Sequence, residues 1–281
     1  IDQSKAVVPN AQVSLVNQQT GVTVTTRVRS DGDFIFPDVQ PGNFNVIVRA
    51  PGYKELQKVN LRLSASQNLS AGIITLEVGG VTESVTVSAD ITPLQTTSSE
   101  RSGVLDTQQL ENLLAIGRDA MALTRVMPGV VGGGGSSSLG TSGTPTVNGV
   151  NSEYNMATID GVTGNTRGLS TLDTPVNLDA VQQVTLMGSN YQAQYGKTAG
   201  GNFNFVTKNG TSTFHGGVYY YFRNEDLNAN SYFNKFGNQQ ARPRYRYNTI
   251  GGTLGGPRFW PGHFNRNKNK LFFFLSVEYS P

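Results

Sequence analysis

Few residues in this chain of 281 could carry reactive chemistry. There are two histidines, His215 and His263, and no cysteine. The histidines lie too far apart for a paired zinc-ligand spacing. The missing thiols remove disulfide frameworks, thiolate metal sites and cysteine nucleophiles together. No G-x-S-x-G elbow and no H-E-x-x-H run occurs. Asp31 and Asp33 flank a glycine, but the later ligands of an EF-hand do not follow, and turn chemistry is the better reading. The glycine and serine tract from Gly132 to Gly143 is not followed by Lys-Ser or Lys-Thr at Walker spacing, so it does not read as a phosphate loop. We therefore expect no enzyme, no catalytic residue, no metal and no cofactor. His215, on the polar parity of a strand-like run, reads as a lumen or surface residue.

Backbone chemistry is where the sequence is informative. Glycine accounts for 33 of 281 residues and charged residues for only 15%. Glycines punctuate three neighbouring runs: Ile159-Asp160-Gly161, Tyr195-Gly196 through Gly200-Gly201, and Val206-Thr207-Lys208 ahead of Asn209-Gly210. Glycine at such points permits positive φ or close backbone approach, which builds a scaffold and not a reaction centre. The net charge of +3 is slight. Arg242, Arg244 and Arg246 form one local cluster, which falls short of a nucleic-acid footprint. No run approaches the roughly 18 apolar residues of a transmembrane helix. The chain opens at Ile1 without methionine or a basic and apolar leader, and the expectation is that a leader and a first strand precede it.

The elements that must position these loops read as mainly β with a few short helices. From Ala6 to Gly79 strand and turn signals alternate: Ala11 to Val16, Val22 to Val28, Phe34-Ile35-Phe36 and Phe44 to Val48. That spacing fits a small antiparallel sandwich. Thr82-Glu83-Ser84-Val85-Thr86-Val87-Ser88-Ala89 is a further β-prone run with no obvious partner strand nearby. Asp106 with Gln109 predicts a capped helix carrying Leu110, Leu113 and Leu114 on one face and ended by Gly117. A second helical segment, with Ala120, Leu123, Thr124 and Met127 on one face, stops at Pro128-Gly129. Thr146 to Val150 and Thr158 to Val162 read as strands, Thr174-Pro175 as the start of a short helix through Ala180 and Val181, and Val184 to Met187 and Asn202 to Val206 as strands. After Gly210 the runs at Phe214 to Arg223, Tyr245 to Leu254 and Leu271 to Tyr279 alternate, with aromatics near their ends. Strands of about ten residues with one apolar face suit either a bilayer or a soluble antiparallel sheet.

Several of these motifs together resemble TonB-dependent outer-membrane receptors. "IDG", "YG…GG" and "VTK", in that order, and "LLAIGRDAMALTRVMPGV" ending in "PGV", resemble their plug domain. "DG-x-F-x-F…PG-x-F-x-V" is similar to the transthyretin-like carboxypeptidase regulatory-like domain. "TIGGTLGGPRF…KNKLFFFLSVEY" resembles the opening barrel strands. The resemblance implies a sandwich over residues 1–79, a box-like segment and α+β plug over 80–210, and the first strands of an incomplete β-barrel over 211–281. It also implies a location in the outer membrane of a Gram-negative-type cell, with the N-terminal domain in the periplasm and lipid around the barrel. Residues Thr82 to Ala89 resemble a TonB box, which would add as a strand to a TonB-like energy transducer; an ordinary strand or linker remains the other reading. On this resemblance the plug gates uptake of a scarce nutrient, bound as an unknown small ligand or glycan.

Residues 211–281 supply three or four strands, whereas plugged barrels of this kind need about 22. The chain is thus expected to be a fragment, or a shortened relative whose unpaired strands self-associate. The alternative function is a secreted, extracellular structural or adhesive β protein assembling by strand addition, and a periplasmic glycan-binding module is a third.

Overall fold

The computed structural model describes residues 1–80, 84–88, 99–113, 118–132, 145–164, 176–230, 232–236, 240–242, 244, 246–260 and 263–280. Leu114, Gly117, Thr174, Pro175, Tyr245, Thr82, Glu83, Ala89 and most of the glycine and serine tract lie outside them. Among the described residues, no helix is long and apolar enough to cross a membrane.

The N-terminal sheet has five strands in the order β2-β1-β3-β4-β5. They are β1 (Gln12–Asn17), β2 (Thr23–Arg27), β3 (Gly42–Arg49), β4 (Glu55–Leu63) and β5 (Ser84–Ser88). Period-two patterning turns Phe44, Val46 and Val48 of β3 inward, beside Val13 and Leu15 of β1. The facing layer is irregular: Phe34 and Phe36 meet edge to face at 6.1 Å, and Leu69 and Ile74 pack on the same core. Phe34-Ile35-Phe36 was expected as a strand and is not one. Pro37 follows with no N–H to donate, and Asp38 sits at a φ of 52°, so the run turns before it can join a ladder. Between the two layers lies a cavity of about 770 Å³.

The box-like run has no obvious partner strand nearby in sequence; its described part, Ser84–Ser88, lies parallel on the more distant β4, with Leu56 opposite Val85. Periodicity could not show this, because the connection from β4 to β5 spans some twenty residues without strand pattern of its own.

The next sheet has the order β10-β9-β12-β11-β6. Its strands are β6 (Arg101–Asp106), β9 (Met156–Ile159), β10 (Val162–Thr163), β11 (Val181–Ser189) and β12 (Asn202–Thr207). A short pair, β7 (Val130–Gly132) and β8 (Pro145–Val147), and two helices, α1 (Thr107–Asn112) and α2 (Ala120–Leu123), complete this α+β body. Asp106 caps α1 in a full capping box with Gln109, as the spacing predicts. The helix is shorter than expected. It stops at Asn112, Leu113 turns to extended backbone as the C-cap and is 36% exposed, and within α1 Leu110 is the residue that reaches the core. The helix expected near Thr174-Pro175 is, in the described part, a single 3-10 turn at Leu178–Ala180 capped by Asn177.

Phe203 and Phe205 of β12 are 1% and 0% exposed, beside Val184 and Leu186 of β11. Replacing a buried Phe with Ala costs about 3–5 kcal/mol. Phe203→Ala is therefore expected to lower the denaturant midpoint of this body and to open β11 and β12 to protease, while Phe34→Ala leaves those strands protected.

Finally β13 (His215–Arg223), β14 (Tyr247–Pro257) and β15 (Phe272–Tyr279) form an antiparallel meander, and a short helix, α3 (Tyr232–Phe236), lies between β13 and β14.

Candidate functional site

The three glycine-marked runs converge in the α+β body. Ile159 pairs with Val162, and Asp160 and Gly161 between them take φ values of 49° and 82°, the positive pair that a tight two-residue hairpin requires. The Asp160 carboxylate accepts from the Thr207 amide at 2.9 Å and the Thr207 hydroxyl at 2.8 Å, tying the hairpin to the end of β12. Val206 is buried, and Lys208 donates to Glu111 at 2.8 Å. The Tyr195 carbonyl accepts from the Asn202 amide group at 3.3 Å. Gly200 and Gly201 pass so close to their neighbours that no side chain fits: a Cβ on Gly200 would lie 2.6 Å from the Tyr154 carbonyl, and one on Gly201 2.7 Å from Val147. Gly196 closes the turn, its amide donating to Ala193. These residues hold backbones together: their hydrogen bonds and close approaches tie the hairpin, the glycine loop and β12 to one another.

The meander has two unlike faces. One carries Val218, Tyr220 and Phe222 beside Ile250, Leu254, Leu275, Val277 and Tyr279, with exposures from 50% to 88%. The other carries Tyr219, Tyr221, Thr253, Ser276 and Glu278, and it meets the α+β body. There Asn177 donates to the Tyr219 hydroxyl at 3.0 Å and to the Ser276 hydroxyl at 2.9 Å. Tyr219 in turn donates to Glu278 at 3.0 Å. Arg118 pairs with Asp179 and lies over the Tyr221 ring at 3.8 Å, with Tyr219 beside it at 5.3 Å. Tyr219 fits because Gly251 lies opposite it: a Cβ there would fall 2.4 Å from the ring. Of this network, sequence reasoning had only the parity of Tyr219 and Tyr221. Arg118, Asn177 and Asp179 carry no local signal, since their partners lie some 40 to 100 positions away.

The N-terminal domain is tied to the same assembly. Arg62 pairs with Asp106 at 3.2 Å, Asn204 donates to Ser66 at 3.0 Å, and the Ser212 amide donates to the Gln19 carbonyl at 3.1 Å. Glu100, at the entry to β6, has its carboxyl pushed above the usual range by burial, partly offset by a hydrogen bond with Ser102. Among the described residues no cluster of His, Asp and Glu could hold a metal ion.

Three family profiles match in succession: the carboxypeptidase regulatory-like domain at residues 1–97, the TonB-dependent receptor plug domain at 93–202, and an outer membrane beta barrel domain at 206–280. The chain carries the N-terminal domain series of a TonB-dependent outer-membrane receptor. The α+β body is its plug, the meander begins its barrel, and the outer membrane is its compartment, with the N-terminal domain in the periplasm. The TonB-dependent transporter Oar of Myxococcus xanthus is 25% identical over 224 residues, 76% of this chain and 20% of the transporter. Solved structures that match include the siderophore receptor PirA of Acinetobacter baumannii, 22% identical, with a TM-score of 0.46 over 64% of this chain and 24% of that one. The outer membrane transporter YddB of Escherichia coli is 17% identical, with a TM-score of 0.43 over 55% and 24%. The chain thus spans about a fifth to a quarter of the length of these relatives.

Tyr219→Phe strands Asn177 and Glu278, and Gly251→Val displaces the ring. Each is expected to weaken plug docking by about 1–2 kcal/mol. Hydrogen exchange at residues 176–180 checks this and should rise about tenfold, with protection of β12 unchanged.

Proposed function

We propose that this chain is the N-terminal part of a TonB-dependent outer-membrane transporter, whose plug gates energy-coupled uptake of a scarce nutrient. The supporting observation is the two-faced meander. Its polar face is hydrogen-bonded to the plug, and its opposite face is exposed and mainly apolar, with the Tyr220 hydroxyl bonded to Asn248 near one end, the arrangement of a barrel wall with lipid outside and a plug within. Trp260, Phe259 and Phe264 at one end of the sheet and Tyr232, Phe233 and Phe236 at the other are exposed aromatics suited to the two membrane interfaces.

On this reading Thr82 to Ala89 is the TonB box, recognised by a TonB-like transducer through main-chain hydrogen bonds, with alternate side chains giving specificity. Pulling on it shifts or partly unfolds the plug, and the energy comes from the inner membrane, so no nucleotide site is required. The substrate is a small ligand or a glycan. No chemistry for an enzyme is required of any residue in the network.

Val85→Pro removes a main-chain donor from the box. It is expected to abolish uptake while the full-length protein still fractionates, undiminished, with the outer membrane. Uptake at the wild-type rate would sink the box assignment. Loss of polymer formation, with product found outside the cell, would favour instead a secreted β protein assembling by strand addition.

A further inference from the structure

Residues 208–212 lie between β12 of the plug and β13 of the wall, and three bodies meet on them. The Lys208 amide donates to the Ala180 carbonyl of the plug at 2.7 Å. Gly210 is pressed onto the wall: it is buried, and a Cβ there would run into the carbonyls of Phe273 in β15 and Gly256 in β14. Ser212 then reaches the N-terminal domain. There the Gln19 carbonyl, in the turn between β1 and β2, accepts from the Ser212 amide at 3.1 Å and from its hydroxyl at 3.0 Å. The same domain holds the plug at two other points, with Arg62 on Asp106, the cap of α1, at 3.2 Å and Ser66 on Asn204 of β12 at 3.0 Å. One folded domain is thus fastened to the plug on one side and, on the other, to the point where the chain enters the wall.

We propose that the N-terminal domain is a brace that keeps the plug seated, and that its release is the first step of opening. A body fastened to two others fixes them relative to each other, so the plug cannot shift against the wall by more than the slack of a hydrogen bond until one set of contacts breaks. Those contacts are the weak links. An exposed ion pair and a few neutral hydrogen bonds are each worth little, whereas Val13 in the N-terminal core and Phe205 in the plug core are both 0% exposed. The brace therefore lets go before either domain unfolds. Docking is felt at the wall by a short path: Ser212 leads back to Lys208, Lys208 to Ala180, and Ala180 closes the 3-10 turn whose cap, Asn177, donates to Tyr219 and Ser276. The proposal rests on the gating reading above, but its test needs neither a nutrient nor a transducer.

The absence of native cysteine makes a reversible lock possible. Gln19→Cys with Ser212→Cys places two thiols on backbones joined by a hydrogen bond, about 5 Å apart as in neighbouring strands and within disulfide reach. The lock is made in the purified full-length receptor twice, once with the plug end of the brace intact and once with that end cut by Arg62→Ala and Ser66→Ala. Hydrogen exchange is followed at residues 176–180, where the plug meets the wall, with β14 as the control for an intact wall. With the plug end intact, oxidation is expected to slow exchange at 176–180 about tenfold; with it cut, by no more than about twofold. Equal slowing in both backgrounds would overturn the proposal, since the disulfide would then only stiffen residues 208–212. So would no slowing in either, because the domain would rest on the plug without holding it. A pair that does not cross-link overturns it as well, because the turn at Gln19 would not lie on Ser212. Uptake enters none of these measurements, so if Val85→Pro leaves uptake intact while the lock behaves as expected, the box reading falls alone.

Discussion

The contact between Tyr219 and the bare backbone of Gly251 sets the geometry of the plug interface. A ring can lie flat across the neighbouring strand only where that strand has no side chain, and a Cβ at Gly251 would stand 2.4 Å from it. In that position the Tyr219 hydroxyl points along the sheet to Asn177 and Glu278. Tyr221, two residues on and therefore on the same face, supplies the surface on which Arg118 lies. His215 uses the same device over Gly255, at 2.6 Å. The small residues of β14 are thus the receiving half of an aromatic pairing that lets the sheet grip a second body.

A bilayer makes the two faces of this sheet unequal. Lipid offers no hydrogen-bond partners, so a polar group on the outward face needs one within the sheet, as the Tyr220 hydroxyl has in Asn248 at 2.9 Å. Placing Tyr219, Ser276 and Glu278 on the inner face gives each a partner, while Val218, Leu254, Leu275 and Val277 meet the apolar side. The plug answers with polar side chains at the ends of short elements: Asn177 caps a 3-10 turn, and Asp179 within that turn holds Arg118. Such contacts are individually modest, about 1 kcal/mol each.

The plug itself is firm where the interface is modest. Phe203 and Phe205 alternate with Asn202 and Asn204 on β12, so one face of the strand fills the core while Asn204 reaches Thr158 and the N-terminal domain. Gly200 and Gly201 let β12 start hard against residues 154 and 155, and Asp160 ties its far end to the Ile159–Val162 hairpin. The strand is thereby fixed at both ends by backbone approach and in the middle by burial.

Local chemistry was legible in the sequence wherever it depends on neighbours along the chain. The Asp106 and Gln109 capping box, the Asp160-Gly161 turn, the stop at Pro128-Gly129 and the two parities of β13 are properties of a few consecutive residues, and each is present. Segments whose state depends on a distant surface were not legible. Phe34 to Phe36 is as β-prone as its neighbours but found no ladder, and Ser84 to Ser88 found one on β4 that no periodicity announces. The interface of Arg118, Asn177 and Asp179 with Tyr219 was equally silent. A hydrogen bond across 42 or 99 positions is set by how sheets stack, and stacking is decided by which faces bury together. The sequence by itself determined the turns, the caps and which face of each strand is apolar, because these follow from φ preferences and side-chain period. Only the tertiary structure decided which edges pair and which polar groups meet, because those contacts appear only after the burial of remote faces has brought them together.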